Sequence, residues 1–348
     1  WDGSDKRFGT MNDATLHLIE TIPLPVLVIG SDQRISAINS PMQRILGGDT
    51  TGRHYVTALR QPGILEAVEA VQGGGKARVT TFLGRDGQSD TSYLARITPL
   101  HDQVVLTLED RTAADDISKL RRDFVANVSH ELRTPLTALL GFIETLQGPA
   151  RDDPVAQTRF LGTMAREAGR MTRLVDDLLS LSRVEETERM RPREAVNLAD
   201  LIRATLGELG HVLPQDRAEL VITAEGSRVL GDAGQLRQVL VNLLENAAKY
   251  GDADGIVTVS LSEPAPEPRL RGPAVRLAVC NSGPPIADHH LARLTERFYR
   301  VDDHRSREVG GTGLGLAIVK HIVNRHRGRM KITSQVGQGT QVCVILPR

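Results

Sequence analysis

The run Phe124-Val125-Ala126-Asn127-Val128-Ser129-His130-Glu131-Leu132-Arg133-Thr134-Pro135-Leu136 sets an imidazole beside a carboxylate. A neutral imidazole nitrogen is a competent nucleophile, and a neighbouring carboxylate can take or orient its proton. Thr134 lies four residues beyond His130, on the same helix face and one turn on. Its hydroxyl suits either of two tasks, holding a water for hydrolysis or bonding the backbone beside Pro135. Far downstream, Asn242, Asn246 and Lys249 recur at steps of four and three. One helix face would then present two amide oxygens and an ammonium. Mg²⁺ prefers hard oxygen ligands and keeps waters and phosphate oxygens around it. A solvated polar helix face is the plainer alternative for these three. In Gly310-Gly311-Thr312-Gly313-Leu314-Gly315-Leu316-Ala317-Ile318-Val319, glycines run into an amphipathic helical pattern. Such a loop offers backbone N–H groups and a helix N-terminus to polyphosphate. It is not a P-loop, for no Gly-Lys-Ser/Thr is present, and no strand precedes it as in a dinucleotide fingerprint.

These groups need elements to hold them. Phe124, Val128, Leu132, Leu136, Leu139, Ile143 and Leu146 make one apolar face of a helix from Ile117 to Leu146. His130 stands two residues from both Val128 and Leu132, which puts it on the wet side. Pro135 should kink this helix, and Gly148-Pro149 should end it. Asp152-Asp153-Pro154 starts a second helix with a heptad of Leu161, Met164, Ala168, Met171, Val175 and Leu178. One hairpin buries such a seam poorly. Two hairpins from two chains make a four-helix bundle, so a homodimer is expected. Packing of the hairpin on its own catalytic domain is the alternative. Glu185 to Arg193 is charged and contains Pro192, which predicts a hinge.

From Val196 the pattern is α/β: a buried helix over Leu236 to Ala248, and strands over Val257–Leu261, Val275–Cys280, Met330–Ser334 and Gln341–Leu346. Glu263-Pro264-Ala265-Pro266-Glu267-Pro268 predicts an extended surface loop. At the other end, Leu16 to Arg111 predicts a small α+β unit. Its strands fall at Pro25–Ile29, Arg34–Ile38, Ala77–Leu83, Ser92–Pro99 and Gln103–Glu109, with helices between the second and third.

With 348 residues, two or three domains are expected. Lys plus Arg, 43, equals Asp plus Glu, 43, so net charge gives no reason to expect nucleic acid as a partner. Aromatics make up only 3%, too few for a base-stacking surface. The two cysteines, Cys280 and Cys343, sit in strand-like runs and predict small buried hydrophobes in a reducing compartment. No apolar run reaches about 18 residues. The chain opens on Trp1 rather than methionine, which suggests a processed product or a cut piece and leaves room for an N-terminal anchor ahead of it.

The run around His130 resembles the H-box of sensor histidine kinases almost letter for letter. Four later clusters resemble, in order, the nucleotide boxes of the same family. They are Asn242-Leu243-Leu244-Glu245-Asn246, Asn281-Ser282-Gly283-Pro284-Pro285, Glu296-Arg297-Phe298-Tyr299-Arg300 and the glycine run with Gly337-Gln338-Gly339-Thr340. The resemblance covers about Asp115 to the C-terminus. It implies a multidomain protein. Ahead of it, five strands with helices between the second and third resemble an α+β PAS sensory domain, expected over 1–111. An antiparallel helical hairpin for dimerisation and phosphotransfer occupies 112–186. A hinge linker spans 187–198, and an α/β-sandwich Bergerat (GHKL) ATP-binding domain spans 199–348. It implies ATP and Mg²⁺ as cofactors, with His130 phosphorylated, Glu131 handling its proton and phosphate passing to a response-regulator aspartate. Asn246, with help from Asn242, would bind Mg²⁺. Lys249, Tyr250, Asn281, Gly283 and Arg300 would touch the nucleotide, and Gly311, Thr312, Gly313, Leu314 and Gly315 would cradle its phosphates. Val301 to Val309 would be a mobile lid. Glu131-Leu132-Arg133-Thr134 also resembles the family's phosphatase motif.

One departure stands out. Many members have aspartate at Asn281 and glycine at Pro285. An amide oxygen still accepts from adenine, with a loss of about 1 kcal/mol relative to a charged acceptor. Glu109-Asp110-Arg111-Thr112 and the text around His130 resemble the phosphate-regulon sensor kinases in particular. The PAS-like unit would be either a ligand-sensing pocket or a dimerisation or relay module without ligand. A phosphatase-dominant sensor and a GHKL ATPase of another class remain as rivals.

Overall fold

The computed structural model describes residues 13–86, 89–188, 190–266, 272–301 and 311–348. It divides into two compact units, Trp1–Ala126 and Asn127–Arg348.

The first unit carries α1 (Asp13–Glu20), β1 (Val26–Ile29), β2 (Ile35–Ile38), α2 (Ser40–Leu46), α3 (Tyr55–Leu59) and α4 (Pro62–Gln72). After them come β3 (Arg78–Asp86), β4 (Ser89–Leu100) and β5 (Gln103–Asp110). The strands form an antiparallel sheet in the order β2-β1-β5-β4-β3. Period-two patterning explains β5, where Val104, Leu106 and Leu108 are buried between half-buried neighbours. They meet Met42, Tyr55, Leu59, Ile64 and Val68 from α2, α3 and α4 in one core. Asn39 is a buried polar hub beside it. Its Oδ1 accepts from Val26 N and Met42 N, and its Nδ2 donates to the carbonyls of Ile19, Ile22 and Leu24. That satisfies the amide fully and fixes the entry of the chain into β1. β3 runs past the end expected for it at Leu83. Gly84, Arg85 and Asp86 stay in β3, paired with Thr91, Asp90 and Ser89.

α5 (Thr112–Gln147) runs without a break through Pro135, and the boundary between the units falls within it. α6 (Pro154–Thr187) starts at Asp153, whose carboxylate accepts from Val155 N and Ala156 N. Phe142 and Phe160 stack between the two helices with ring centroids 5.4 Å apart. Glu185, Glu186 and Thr187 belong to α6, so the break in the chain begins after Thr187 and not at Glu185. It also ends early, because Glu194–Asn197 forms strand β6, paired with β8 (Arg228–Gly231). The linker expected over 187–198 is therefore shorter at both ends.

Next come α7 (Leu198–Glu208), a short 3₁₀ turn, β7 (Ala218–Ile222), α8 (Ala233–Tyr250), β9 (Val257–Pro266) and β10 (Pro273–Asn281). α9 (Asp288–Leu291), α10 (Gly315–Arg325), β11 (Arg329–Gln335) and β12 (Gly339–Pro347) complete the unit. The sheet order is β11-β12-β10-β9-β7, with β7 and β9 parallel and the rest antiparallel. α8 lies over β9 and β10, with α7 and α10 against it. Leu236, Leu240, Leu243 and Leu244 of α8 and Ile318, Val319 and Ile322 of α10 are buried at spacings of three and four. This is an α/β sandwich. The proline-rich stretch is not a loop throughout, for Glu263 to Pro266 continue β9. β7 pairs with β9 only as far as Leu261, so the prolines fall where β9 has a free edge. Cys343 is buried as expected, whereas Cys280 is only partly so. Among the described residues, no helix is long and apolar enough to cross a membrane.

His326 joins the end of α10 to the start of α8. It is 1% exposed. Its Nδ1 lies 2.7 Å from the Ile322 carbonyl and its Nε2 accepts from Asp232 N at 3.0 Å. Nδ1 must therefore carry the proton, and a second proton on Nε2 would face an N–H. Burial pushes its pKa down, aided by Arg325 and Arg191 and opposed by the Ile322 carbonyl and Asp232. The unfolded chain then binds more protons than the folded one below about pH 6.5, so stability is full above that pH and falls as acid is added. Urea titrations at pH 7.5 and 5.5 should show His326→Gln losing less stability on acidification than the parent chain. Equal losses would remove His326 from the acid response.

Candidate functional site

α8, β10, the segment before α10 and helix α6 together enclose a cavity of about 550 Å³, a volume suited to a small molecule or nucleotide. Of the residues singled out in the sequence, Asn242, Asn246, Lys249, Tyr250, Asn281, Arg300, Gly311, Thr312, Gly313 and Gly315 line it. Helix periodicity explains the first four, since α8 buries its leucines on the sheet and turns its polar stripe outward. Val279, Ile332 and Val342 add an apolar floor, and Ile286 and Leu294 an apolar wall.

The polar groups differ in readiness. Asn242 Nδ2 donates to the Gly315 carbonyl at 3.3 Å, which ties α8 to the start of α10 and turns Oδ1 the other way. Asn281 Nδ2 donates to the Ser282 carbonyl at 2.9 Å, which likewise makes Oδ1 its available acceptor. Lys249 is not the free cation that its spacing suggests. Its Nζ lies 2.8 Å from Glu245 Oε2, one turn earlier on α8. The Arg300 side chain is 4% exposed. Its Nη2 donates to the Gly311 carbonyl at 2.7 Å and to Glu131 Oε2 at 3.0 Å. Among the described residues, its buried Nε has no partner, an unmet donor that an anion would satisfy.

Gly313 shows why glycine is needed in this loop. Its φ is +73°, and a Cβ there would stand 2.8 Å from the Cα of Phe298. Phe298 N donates to the Gly313 carbonyl at 2.9 Å, so the two segments pack backbone on backbone. Leu314 is fully buried and Gly283 lies off the cavity wall. Gly283 instead approaches the Tyr250 carbonyl, 3.0 Å from where its Cβ would be. The lid expected from Val301 to Val309 falls almost entirely outside the described residues.

His130 is exposed on α5, on the side opposite the apolar stripe. Its neighbour Glu131 is not free. One carboxylate oxygen, Oε2, receives both Arg170 Nη2 of α6 and Arg300 Nη2 of the cavity wall, each at 3.0 Å. Thr134 Oγ1 donates to the His130 carbonyl at 3.2 Å. Pro135 frees the carbonyl of Glu131 rather than that of His130, so this is an ordinary back-bond within the helix.

Three site residues escaped sequence reasoning, Arg173, Asp176 and Asp177 of α6, which also line the cavity. Asp177 Oδ2 accepts from Thr312 Oγ1 at 2.7 Å. Burial pushes the Asp177 carboxyl above its usual range, against the pull of the Thr312 bond. No local motif marks these residues, because their meaning comes from a helix docked on a loop over 100 positions away.

Comparison with known proteins follows the same lines. A family model described as "Histidine kinase-, DNA gyrase B-, and HSP90-like ATPase" matches residues 231–348, and the "His Kinase A (phospho-acceptor) domain" matches residues 120–187. The sensor-like histidine kinase SenX3 of Mycolicibacterium smegmatis is 36% identical over 268 residues, 75% of this chain and 67% of the relative. The phosphate regulon sensor protein PhoR of Pseudomonas aeruginosa is 38% identical over 250 residues, 70% of this chain and 54% of the relative. The chain thus spans about half to two thirds of these relatives. Among solved structures, the histidine kinase ThkA, crystallised with the response regulator protein TrrA, aligns with a TM-score of 0.51 at 22% identity. That alignment covers 95% of this chain and 97% of that one, and speaks to fold alone.

Proposed function

This chain belongs to the sensor histidine kinases of two-component systems, a family of protein-histidine kinases, and from that premise we propose that it moves the γ-phosphoryl group of ATP onto His130 and then onto a response-regulator aspartate. The observation that carries this reading is one cavity that gathers the α8 amides, Asn281, Arg300 and the glycine loop, with the neighbour of His130 bonded to Arg300.

The residues fit ATP with Mg²⁺. The apolar floor suits a purine, and Asn281 Oδ1 is oriented to accept from its amino group. The buried Nε of Arg300, unpartnered among the described residues, suits phosphate. When bound, ATP·Mg²⁺ supplies the phosphoryl group and the cation that offsets its charge. Asn246, with Asn242, would hold Mg²⁺, and Lys249, Tyr250 and Arg300 would hold the nucleotide. His130, neutral, offers a ring nitrogen as nucleophile, and Glu131 takes or orients its other proton. For Glu131 to accept a proton, Arg300 has to release it first.

The remaining parts of the reading have their own support. A PAS domain in the first unit is supported by the strand order β2-β1-β5-β4-β3 with helices between β2 and β3. A homodimer through a four-helix bundle is supported by apolar side chains that stay exposed along the hairpin, Leu136, Leu140, Ile143, Leu161, Val175 and Leu179. A different stripe of α6, Leu174, Leu181 and Val184, is buried, and α10 lies against that helix. The hairpin therefore has one apolar stripe for its own catalytic domain and another for a second copy. Likeness to a phosphate regulon sensor protein supports phosphate sensing as the input. A phosphatase-dominant balance is the second reading, favoured by the pairing of Lys249 with Glu245 and of Arg300 with Glu131.

Asn246→Ala tests the nucleotide assignment. Loss of one hard oxygen ligand should weaken Mg²⁺-dependent ATP binding by about 1–3 kcal/mol, or roughly 5- to 150-fold in Kd. A calorimetric titration with unchanged Kd counts against it.

A further inference from the structure

Two of the groups assigned above to phosphate are already engaged by carboxylates of the hairpin. Glu131 of α5 takes Arg300, and Asp177 of α6 takes Thr312. A carboxylate presents anionic oxygens to the same donors that a phosphate uses. The two sites are not equivalent. A guanidinium has five N–H donors, and Arg300 keeps an Nε that is unpartnered among the described residues. A threonine has one O–H. While Thr312 donates to Asp177 it has no proton for a phosphate oxygen. The Asp177 charge also sits largely out of water, where a second anion brought alongside it is strongly disfavoured.

Resting on the reading of this cavity as a nucleotide site, we propose that Asp177 is an internal competitor for it: its carboxylate holds the Thr312 hydroxyl in place of a phosphate oxygen. Docking of α6 on the glycine loop and full engagement of nucleotide then exclude each other at this point. Further contacts hold the docked arrangement. Ser180 and Gln238 exchange hydrogen bonds at 2.7–2.9 Å, and Arg297 Nη2 lies 2.5 Å from Glu185 Oε1. The apparent ATP affinity is lowered by the fraction of molecules in which Thr312 is free. By reciprocity, nucleotide loosens α6 from the loop by the same factor, which couples loading of the cavity to freedom of the helix hairpin.

The test is calorimetric titration of the full chain with ATP·Mg²⁺. Asp177→Ala should bind about fivefold more tightly than the parent, the weight of one ordinary hydrogen bond. Asp177→Asn, which keeps an acceptor but loses the charge, should gain less, and it stands in if the alanine variant does not fold by circular dichroism. In a Thr312→Val background, where the contested proton is gone, the gain from Asp177→Ala should shrink. Equal or weaker binding by the Asp177 variants, with normal binding by the parent, overturns the competition and leaves the nucleotide site standing. A gain undiminished by Thr312→Val also overturns it, for the effect is then simple charge repulsion. No ATP binding by the folded parent or any variant would instead remove the nucleotide reading beneath it.

Discussion

His130→Ala should abolish autophosphorylation while leaving ATP affinity within about twofold of the parent. The imidazole is the only proposed acceptor, and alanine offers no nucleophile in its place. His130 lies on the exposed side of α5 and does not line the cavity, so its loss should leave the nucleotide contacts in place. Alanine is the better helix former, and an exposed site gives the substitution little to disturb. The check is labelled ATP with the purified chain, read beside a calorimetric Kd. Label retained by the variant would take His130 out of its role. Loss of both label and ATP binding would mean that α5 supports the cavity more directly than its exposed histidine suggests.

Much of this site is legible in the sequence wherever local periodicity decides the outcome. The leucines of α8 fix which way Asn242 and Asn246 face, and the alternation of Val104, Leu106 and Leu108 fixes β5. What stays hidden depends on contacts between distant segments. β7 has the burial pattern of an exposed edge, and β6 and β8 are four residues each, so hydrophobic patterning gives them no signal. Lys249 carries the right charge at the right spacing, yet Glu245 one turn back claims it. Glu131 reads as a free base in sequence, and only the fold brings it to Arg300, 169 positions away. Leu314 sits within the glycine run but packs inward, fully buried. The pattern thus conveys which side chains can do chemistry better than whether they are free to do it.

That distinction bears most on Thr134. Its hydroxyl meets the His130 carbonyl at 3.2 Å within one exposed helix turn. A back-bond of this kind adds little to helix stability, so the contact does not by itself explain a threonine here. Hydrolysis of a regulator's acyl phosphate needs a positioned water as nucleophile, whereas phosphorylation of His130 uses the imidazole as nucleophile. The two reactions use different nucleophiles on one face. Thr134→Ala should therefore keep autophosphorylation within a few-fold, and slow removal of phosphate from the regulator by about 10²-fold, a loss typical of one positioned catalytic group. To do so, the hydroxyl must leave the His130 carbonyl when the regulator docks, a rotation about a single bond. Thr134→Ser keeps that hydroxyl and should retain most of the hydrolysis, which separates the group from the shape of the side chain. Both rates should be measured on one preparation, with circular dichroism to confirm the helices. A parallel fall in both would make Thr134 a structural residue. If neither falls, the hydroxyl does not position water, and the chain must reset its regulator through other residues of the hairpin.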